Sequence, residues 1–174
     1  VLMDRFEIVY LAFSPLITVS QTVPTVAIAP LLVLWLGYGL APKVVLVVLT
    51  TFFPITVSLV SGFRSVDPDL IDLMRTMNAT PAQVFWQVKI PAAAEQFFSG
   101  LKISATYAIV GAVIAEWLGG FSGLGVYMTR VRKSFAYDRM FAVIALISAL
   151  SLALMGAVSA IQRICMPWKR AERK

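Results

Sequence analysis

The sequence has no histidine and a single cysteine, Cys165, among 174 residues. Without histidine the chain lacks the side chain that most often serves as general base or zinc ligand near neutral pH. One cysteine excludes an internal disulfide and any thiolate metal cluster built within one chain, so Cys165 reads as a packed, inert thiol. Charge is scarce too. Asp, Glu, Lys and Arg make up 14% of positions, where a soluble domain carries about 25%. The GxxxxGK(S/T) phosphate loop is absent, so no Walker-type nest exists and any nucleotide chemistry belongs to another chain. These absences argue against an enzyme and against a resident cofactor or metal.

What is abundant is apolar. Hydrophobic residues fill 59% of the chain and the mean hydropathy is +0.84, contributed by long apolar runs separated by polar or Gly/Pro-containing connections, the pattern of a polytopic membrane protein. The net charge of +6 does not indicate nucleic acid, because the basic residues gather on no periodic face. Arg163, Lys169, Arg170, Arg173 and Lys174 instead follow the last apolar run and read as a cytoplasmic anchor. The opening VLMDRFEIVY has neither the order of a signal peptide nor an initiator methionine, and an absent N-terminal part is expected.

One membrane domain over 1–174 is the natural count. The first apolar stretch, 8–36, is interrupted by Pro15, Pro24 and Pro30, and a first span is expected near 18–36. Gln21, Thr22 and Thr25 stand beside Pro24, where polar groups can rebond a carbonyl that proline frees. GYGLAPK at 37–43 reads as a turn, and 43–62 as a second span containing Pro54, pairing with the first as a hairpin. A third span is expected over 97–118, with Gly100, Ser104, Ala108 and Ala112 at four-residue intervals that let helix backbones approach. After GGFSGLG at 119–125 comes a basic amphipathic piece, YMTRVRKSFAYDR. A fourth span over 140–164 then precedes MPWKRAERK, with Trp168 at an interfacial position.

Cytoplasmic loops carry the excess of Lys and Arg. Putting the C-terminus and the 63–96 loop inside collects Arg5, Arg64, Arg75, Lys89, Arg163, Lys169, Arg170, Arg173 and Lys174 there. Lys43, Arg130, Arg132, Lys133 and Arg139 fall outside, nine against five, with Lys102 unassigned. The basic cluster at 130–139 is an exception that charge counting leaves unexplained.

The 63–96 loop is too polar to span. Asp67-Pro68 reads as N-cap and first helical residue, and Leu70, Leu73, Met74 and Met77 then form one apolar face. Asn78 closes this helix by taking the left-handed conformation. Thr80-Pro81 repeats the start signal for a second short helix with Val84, Phe85 and Val88 on one side, and Ile90-Pro91 is expected to stop it. Two amphipathic helices between spans make a surface element, one that either rests on lipid headgroups or is bound by a cytoplasmic partner.

This loop resembles the signature cytoplasmic loop of ABC-importer permeases, Glu-Ala-Ala, three residues, Gly, then a stretch to Ile/Leu-Pro. Asp72-Leu73-Met74 stands for the first three, Asn78 for the glycine and Ile90-Pro91 for the end; Leu73, Met74 and Asn78 depart from the pattern. The resemblance extends through VPTVAIAPLLVLWLGYG, FFPITVSLVSGFRSVDPDL, SGLKISATYAIVGAVIAEWLGG and SGLG. It is similar to the nitrate/sulfonate/taurine group, and AEWLGG, GLGVYMTR and MPW look closest to the branch importing thiamine-precursor pyrimidines (hydroxymethylpyrimidine). The resemblance implies an all-α, polytopic transmembrane bundle of the type I importer kind with a cytoplasmic coupling helix pair, short here of its opening spans. It further implies a homodimer in the bacterial inner membrane, two cytoplasmic ATP-binding subunits that hold ATP and Mg, and an extracytoplasmic substrate-binding protein. The coupling residues it assigns are Asp72, Arg75, Asn78, Ala79, Pro81, Ile90 and Pro91.

Glu116 is the conspicuous ionisable residue in an apolar run. It either lines the solute pathway or, near the end of its span, meets interfacial water or a cation such as Arg130. Gln21, Thr22 and Tyr107 are further pathway candidates, each able instead to stabilise a kink or a helix contact. Trp35 and Trp117 read as interfacial belt residues. An ion-coupled secondary transporter would need more intramembrane carboxylates than Glu116 alone, and a purely structural membrane subunit would not need the helix pair. Within the family, a sulfonate, taurine or nitrate-like substrate is the alternative to a pyrimidine.

Overall fold

The computed structural model describes residues 22–167, together with the isolated positions Ile8, 11–13, Pro15 and Val19. Gln21, Arg5 and the anchor at 168–174, Trp168 included, lie outside the described residues. All regular elements among the described residues are helical: α1 (Thr25–Leu36), α2 (Leu40–Arg64), α3 (Pro68–Thr76), α4 (Pro81–Val84), a π turn (Phe85–Lys89), α5 (Ile90–Gly119), α6 (Leu124–Lys133) and α7 (Tyr137–Cys165). Three helical stretches are long and apolar enough to cross a membrane, Leu40–Arg64, Pro81–Leu118 and Tyr137–Cys165.

The stretch expected to span 18–36 is broken. Pro24 has extended backbone (φ −63, ψ 118), and α1 begins only after it with 12 residues, or about 18 Å, short of a hydrocarbon core of roughly 30 Å. The Thr22 hydroxyl donates to the Val19 carbonyl at 2.7 Å. The turn after α1 is also shorter than GYGLAPK suggests. Gly37 and Gly39, both at positive φ, reverse the chain, and Leu40 already opens α2 with Pro42 buried in its first turn, where a missing amide is harmless.

The principal partner of α2 is α5, which runs antiparallel to it. Small residues bring the two backbones together. A Cβ at Gly100 would lie 2.5 Å from the Ser58 Cβ and 2.8 Å from the Pro54 carbonyl, and one at Gly62 would lie 2.9 Å from the Ala93 Cα. Ser104, 2% exposed, donates its hydroxyl to the Thr51 carbonyl at 2.8 Å. That bond sits beside the Thr50 carbonyl, which Pro54 leaves without its helical donor. The four-residue ladder expected here holds only at its start. Ala93, Gly100, Ser104, Gly111 and Ala115 are buried, whereas Ala108 and Ala112 are half-buried. A strict four-residue step drifts about 40° around a helix at each repeat, so alternating steps of seven and four keep the seam facing its partner.

Two apolar clusters complete the packing. Ala29 and Leu32 of α1 meet Leu46 and Ala115 at one end, and Phe98 and Ala105 meet Val158 and Met166 at the other. The α2–α3 connection, the start of α5 and the end of α7 therefore share one end of the bundle. The Tyr38 and Phe121 rings, 5.9 Å apart, and α6 occupy the opposite end. α7 buries only Val143 and Val158, so Cys165, expected to be packed, is exposed.

Gly100→Ala is expected to lower the midpoint of thermal unfolding in detergent by the equivalent of about 1–3 kcal/mol, the typical effect of overpacking a tight contact. Gly156, with nothing within 4 Å of a built Cβ, is the control: Gly156→Ala should be neutral or stabilising by up to about 1 kcal/mol.

Candidate functional site

The helix pair at 65–89 is built from explicit start and stop chemistry. The Asp67 carboxylate accepts from the Asp69 amide at 2.9 Å, and Pro68 follows as the first helical residue. At the other end of α3, the Asn78 amide donates to the Arg75 carbonyl and the Ala79 amide to the Met74 carbonyl, both at 3.0 Å, with Asn78 at φ 57. These two bonds around a left-handed residue are a Schellman closure, so Asn78 supplies the backbone shape that glycine would. Thr80 then caps α4 reciprocally: its hydroxyl accepts from the Gln83 amide at 3.3 Å, and the Gln83 side-chain oxygen accepts from the Thr80 amide at 2.7 Å. The Thr80-x-x-Gln83 spacing carries the capping-box signature, a signal readable in the sequence that the start-signal argument passed over.

Ile90-Pro91 does not stop the second helix, contrary to expectation. The chain widens into the π turn, with the Ile90 amide reaching back to the Phe85 carbonyl, and α5 continues without interruption, its first turn holding Pro91. A proline ring collides with the carbonyl four residues before it in a regular helix, and one extra residue in the preceding turn moves that carbonyl aside. The helix expected to begin at 97 thus starts at 81.

One side of the pair is anchored and the other is bare. Val66, Val84 and Val88 are buried, and Phe85 stacks on Phe63 of α2 with ring centroids 5.9 Å apart. α3 has no buried residue; Leu70, Leu73 and Met77 of its apolar face are exposed, as is Trp86. Asp72 and Arg75 pair at 3.1 Å, each about two-thirds exposed, and a pair so exposed contributes little to stability. Its effect is to hold two opposite charges on the outer surface beside the apolar stripe.

At the opposite end of the bundle Glu116 forms a clasp. Its carboxylate accepts from the Gly125 amide at 2.7 Å, an open donor in the first turn of α6, where a negative charge is favoured by the helix dipole. Gly123, at φ 123, has no room for a side chain because a Cβ there would overlap the Glu116 carboxylate. A Cβ at Gly125 would lie 2.7 Å from the Val113 carbonyl. The GGFSGLG stretch is therefore glycine-rich because it wraps around a carboxylate from α5. Sequence reasoning offered Glu116 water or Arg130 as partner and missed this one, since a capping residue remote in sequence leaves no local pattern.

The other pathway candidates are not gathered with it. Tyr107 lies nine residues before Glu116 on α5, about 14 Å along the axis and half a turn around it, and is half exposed. Thr22 lies before α1, its hydroxyl engaged with Val19. Trp35 and Trp117 are both exposed, near the end marked by Tyr38 and Phe121.

An all-helical membrane bundle with a rigid, outward-facing helix pair inserted between two long helices is the frame of a transport-system membrane subunit. Residues 2–167 match the family described as the binding-protein-dependent transport system inner membrane component, and the chain belongs to that family of ABC transporter permeases. It is 38% identical over 161 residues to the formylaminopyrimidine transport permease protein ThiX of Halalkalibacterium halodurans, covering 92% of this chain and 64% of that protein. It is 32% identical over 158 residues to the riboflavin transport system permease protein RibX of Chloroflexus aurantiacus, covering 91% and 59%. It is also 32% identical over 154 residues to the taurine transport system permease protein TauC of Escherichia coli, covering 88% and 56%. The chain thus spans less than two thirds of the length of these relatives. The expected family and its taurine and thiamine-precursor relationships agree with these matches.

Two substitutions at each closure test it. Asn78→Gly should leave the pair intact. Asn78→Val, a β-branched residue forced to positive φ, should destabilise it by roughly 1–3 kcal/mol, seen as faster protease cleavage within 65–89. At the clasp, Glu116→Gln keeps an acceptor for Gly125, so its melting midpoint should fall less than that of Glu116→Ala, which loses about 1 kcal/mol of capping.

Proposed function

We infer that the chain is the membrane-spanning permease subunit of an ATP-driven importer and forms the pathway for a small polar solute. The observation that carries this reading is the helix pair at 65–89, capped at both ends of α3 and at the start of α4, anchored on α2 through Phe63 and Phe85, and continuous with α5. Its bare face of Leu70, Leu73 and Met77, with Asp72 and Arg75 alongside, suits a protein partner better than water. With no phosphate loop in the sequence, that partner is a separate ATP-binding subunit, one for each copy of a permease dimer. Nucleotide binding moves the pair, and the continuous helix carries the displacement into the membrane. Pro81, Asn78 and Ala79 keep the pair rigid, and Ile90-Pro91 joins it to the span.

The end of the bundle that carries the pair is cytoplasmic in this reading, in accord with the Lys/Arg excess, and the Glu116 end faces an extracytoplasmic binding protein. Thr22 and Tyr107 border the solute pathway, and Glu116 holds its outer mouth in shape. The relatives named for formylaminopyrimidine, riboflavin and taurine bracket the substrate as a small polar metabolite, and the identity to the first supports a thiamine-precursor pyrimidine. A sulfonate, taurine or nitrate-like solute is the reading within the family that competes with it. An ion-coupled mechanism has less support, because the one carboxylate expected to serve it is committed to capping α6.

Replacing 68–90 by a Gly/Ser linker is expected to abolish co-purification of the ATP-binding subunit from detergent while the chain still inserts. Asp72→Lys should leave the complex assembled or weakened but uncouple ATP hydrolysis from uptake in proteoliposomes. Failure of any ATP-binding subunit to associate with the wild type would sink the importer reading.

A further inference from the structure

The cations between 130 and 139 are used by neither the helix pair nor the clasp. Arg130, Arg132 and Lys133 occupy the last turn of α6, and Arg139 the first turn of α7. All four are exposed, and none has an ion-pair partner among the described residues. The acidic groups nearby do not balance them: Glu116 is turned onto Gly125, which leaves Asp138 alone among four cations.

A basic turn by itself would be a solvated surface. The rings beside it argue otherwise. α6 closes with the Phe135 amide on the Arg132 carbonyl and the Ala136 amide on the Val131 carbonyl, both at 3.3 Å, which puts Phe135 at φ 55. Glycine is the usual occupant of that position, and a bulky residue there is strained. No internal packing compensates, for Phe135 is 74% exposed and its one ring contact among the described residues is Tyr137, at 6.4 Å. Tyr137 and Phe141 are exposed as well, at the end of the bundle where Trp35, Tyr38, Trp117 and Phe121 also present rings. Aromatic side chains at the hydrocarbon boundary with cations at phosphate level form an interfacial anchor.

We propose that the α6–α7 turn is a binding site for anionic phospholipid. Arg130, Arg132, Lys133 and Arg139 hold phosphodiester headgroups, and Phe135 and Phe141 enter the acyl boundary. Guanidinium groups match phosphate oxygens in a two-pronged geometry that an ammonium lacks, and three of the four cations are arginine. Such a lipid explains why this end carries cations against the prevailing charge asymmetry. It would also press α6 onto α5 where Glu116 clasps it. The inference rests on the chain lying in a bilayer and not on coupling to an ATP-binding subunit.

The test uses the intact permease in neutral detergent, melted with added phosphatidylglycerol or phosphatidylcholine. Phosphatidylglycerol should raise the wild-type midpoint above that in phosphatidylcholine. The fourfold variant Arg130→Gln, Arg132→Gln, Lys133→Gln, Arg139→Gln should lose this difference while melting like wild type in phosphatidylcholine. Each single variant should need about fivefold more phosphatidylglycerol for the same rise, the contribution of one basic residue near an anionic surface. Phe135→Gly relieves the strained position, so its midpoint in phosphatidylcholine should hold or rise while its response to phosphatidylglycerol shrinks. Equal wild-type midpoints in the two lipids, or a full response in the fourfold variant, would overturn the proposal. Equal midpoints joined to cation-dependent capture of an acidic soluble protein would also overturn it and give the patch to that partner.

Discussion

The closeness of α2 to α5 is the constraint on which the rest of the structure depends. With Gly100 lying against Ser58 and the Pro54 carbonyl, and Gly62 against Ala93, the two backbones meet without intervening side chains. In hydrocarbon such contact is worth more than apolar bulk, because lipid tails already solvate leucine as well as another leucine does. The same proximity lets Ser104 reach the Thr51 carbonyl, a polar contact that would go unmet at the wider spacing of ordinary helix pairs. Both ends of the bundle inherit their geometry from this seam. At one end the helix pair is suspended between the last turn of α2 and the start of α5. At the other, Glu116 emerges from α5 at the height needed to cap α6.

Several polar groups at the helix ends and at the Pro54 break follow one logic. Each of these lies where a helix begins, ends or is broken, and each satisfies a backbone group that the apolar surroundings would otherwise strand. Asp67, Thr80 and Glu116 serve amides; Ser104 serves a carbonyl beside a proline. Even Asn78 and Phe135, at positive φ, mark places where terminal carbonyls are closed by amides of the following turn. The sparing use of charge in this chain fits that division: apart from Lys102, the middle of the α2–α5 seam is built from small and apolar residues.

Much of this was legible beforehand because it is local. The Asp67-Pro68 and Thr80-Pro81 starts and the left-handed Asn78 follow from a few adjacent residues, and the fold class follows from apolar runs. What escaped was set by distance or by competition. The break at Pro24 and the continuation through Pro91 involve the same residue type with opposite outcomes. Pro24 takes extended backbone and only a short helix follows it, whereas Pro91 is preceded by the π turn at Phe85–Lys89. The Glu116 clasp joins groups nine residues apart through a glycine turn, and the drift of the small-residue seam from Ala108 to Gly111 depends on how α2 crosses α5. Neither leaves a mark in a short window. The helix pair was therefore recognisable as the coupling candidate, while the arrangement at the other end was not.

The π turn has a geometric meaning beyond accommodating proline. One additional residue in an α-helix rotates everything on its far side by about 100°. The five residues from Phe85 to Lys89 thus set the rotational phase between α5 and the short helix before it, whose Val84 is buried together with Val88 of the turn. Straightening that turn would swing the outer helix by more than a quarter revolution without moving its axis, turning its anchored side toward solvent. One turn of helix is therefore enough to specify which face the end of this long helical stretch offers to the outside.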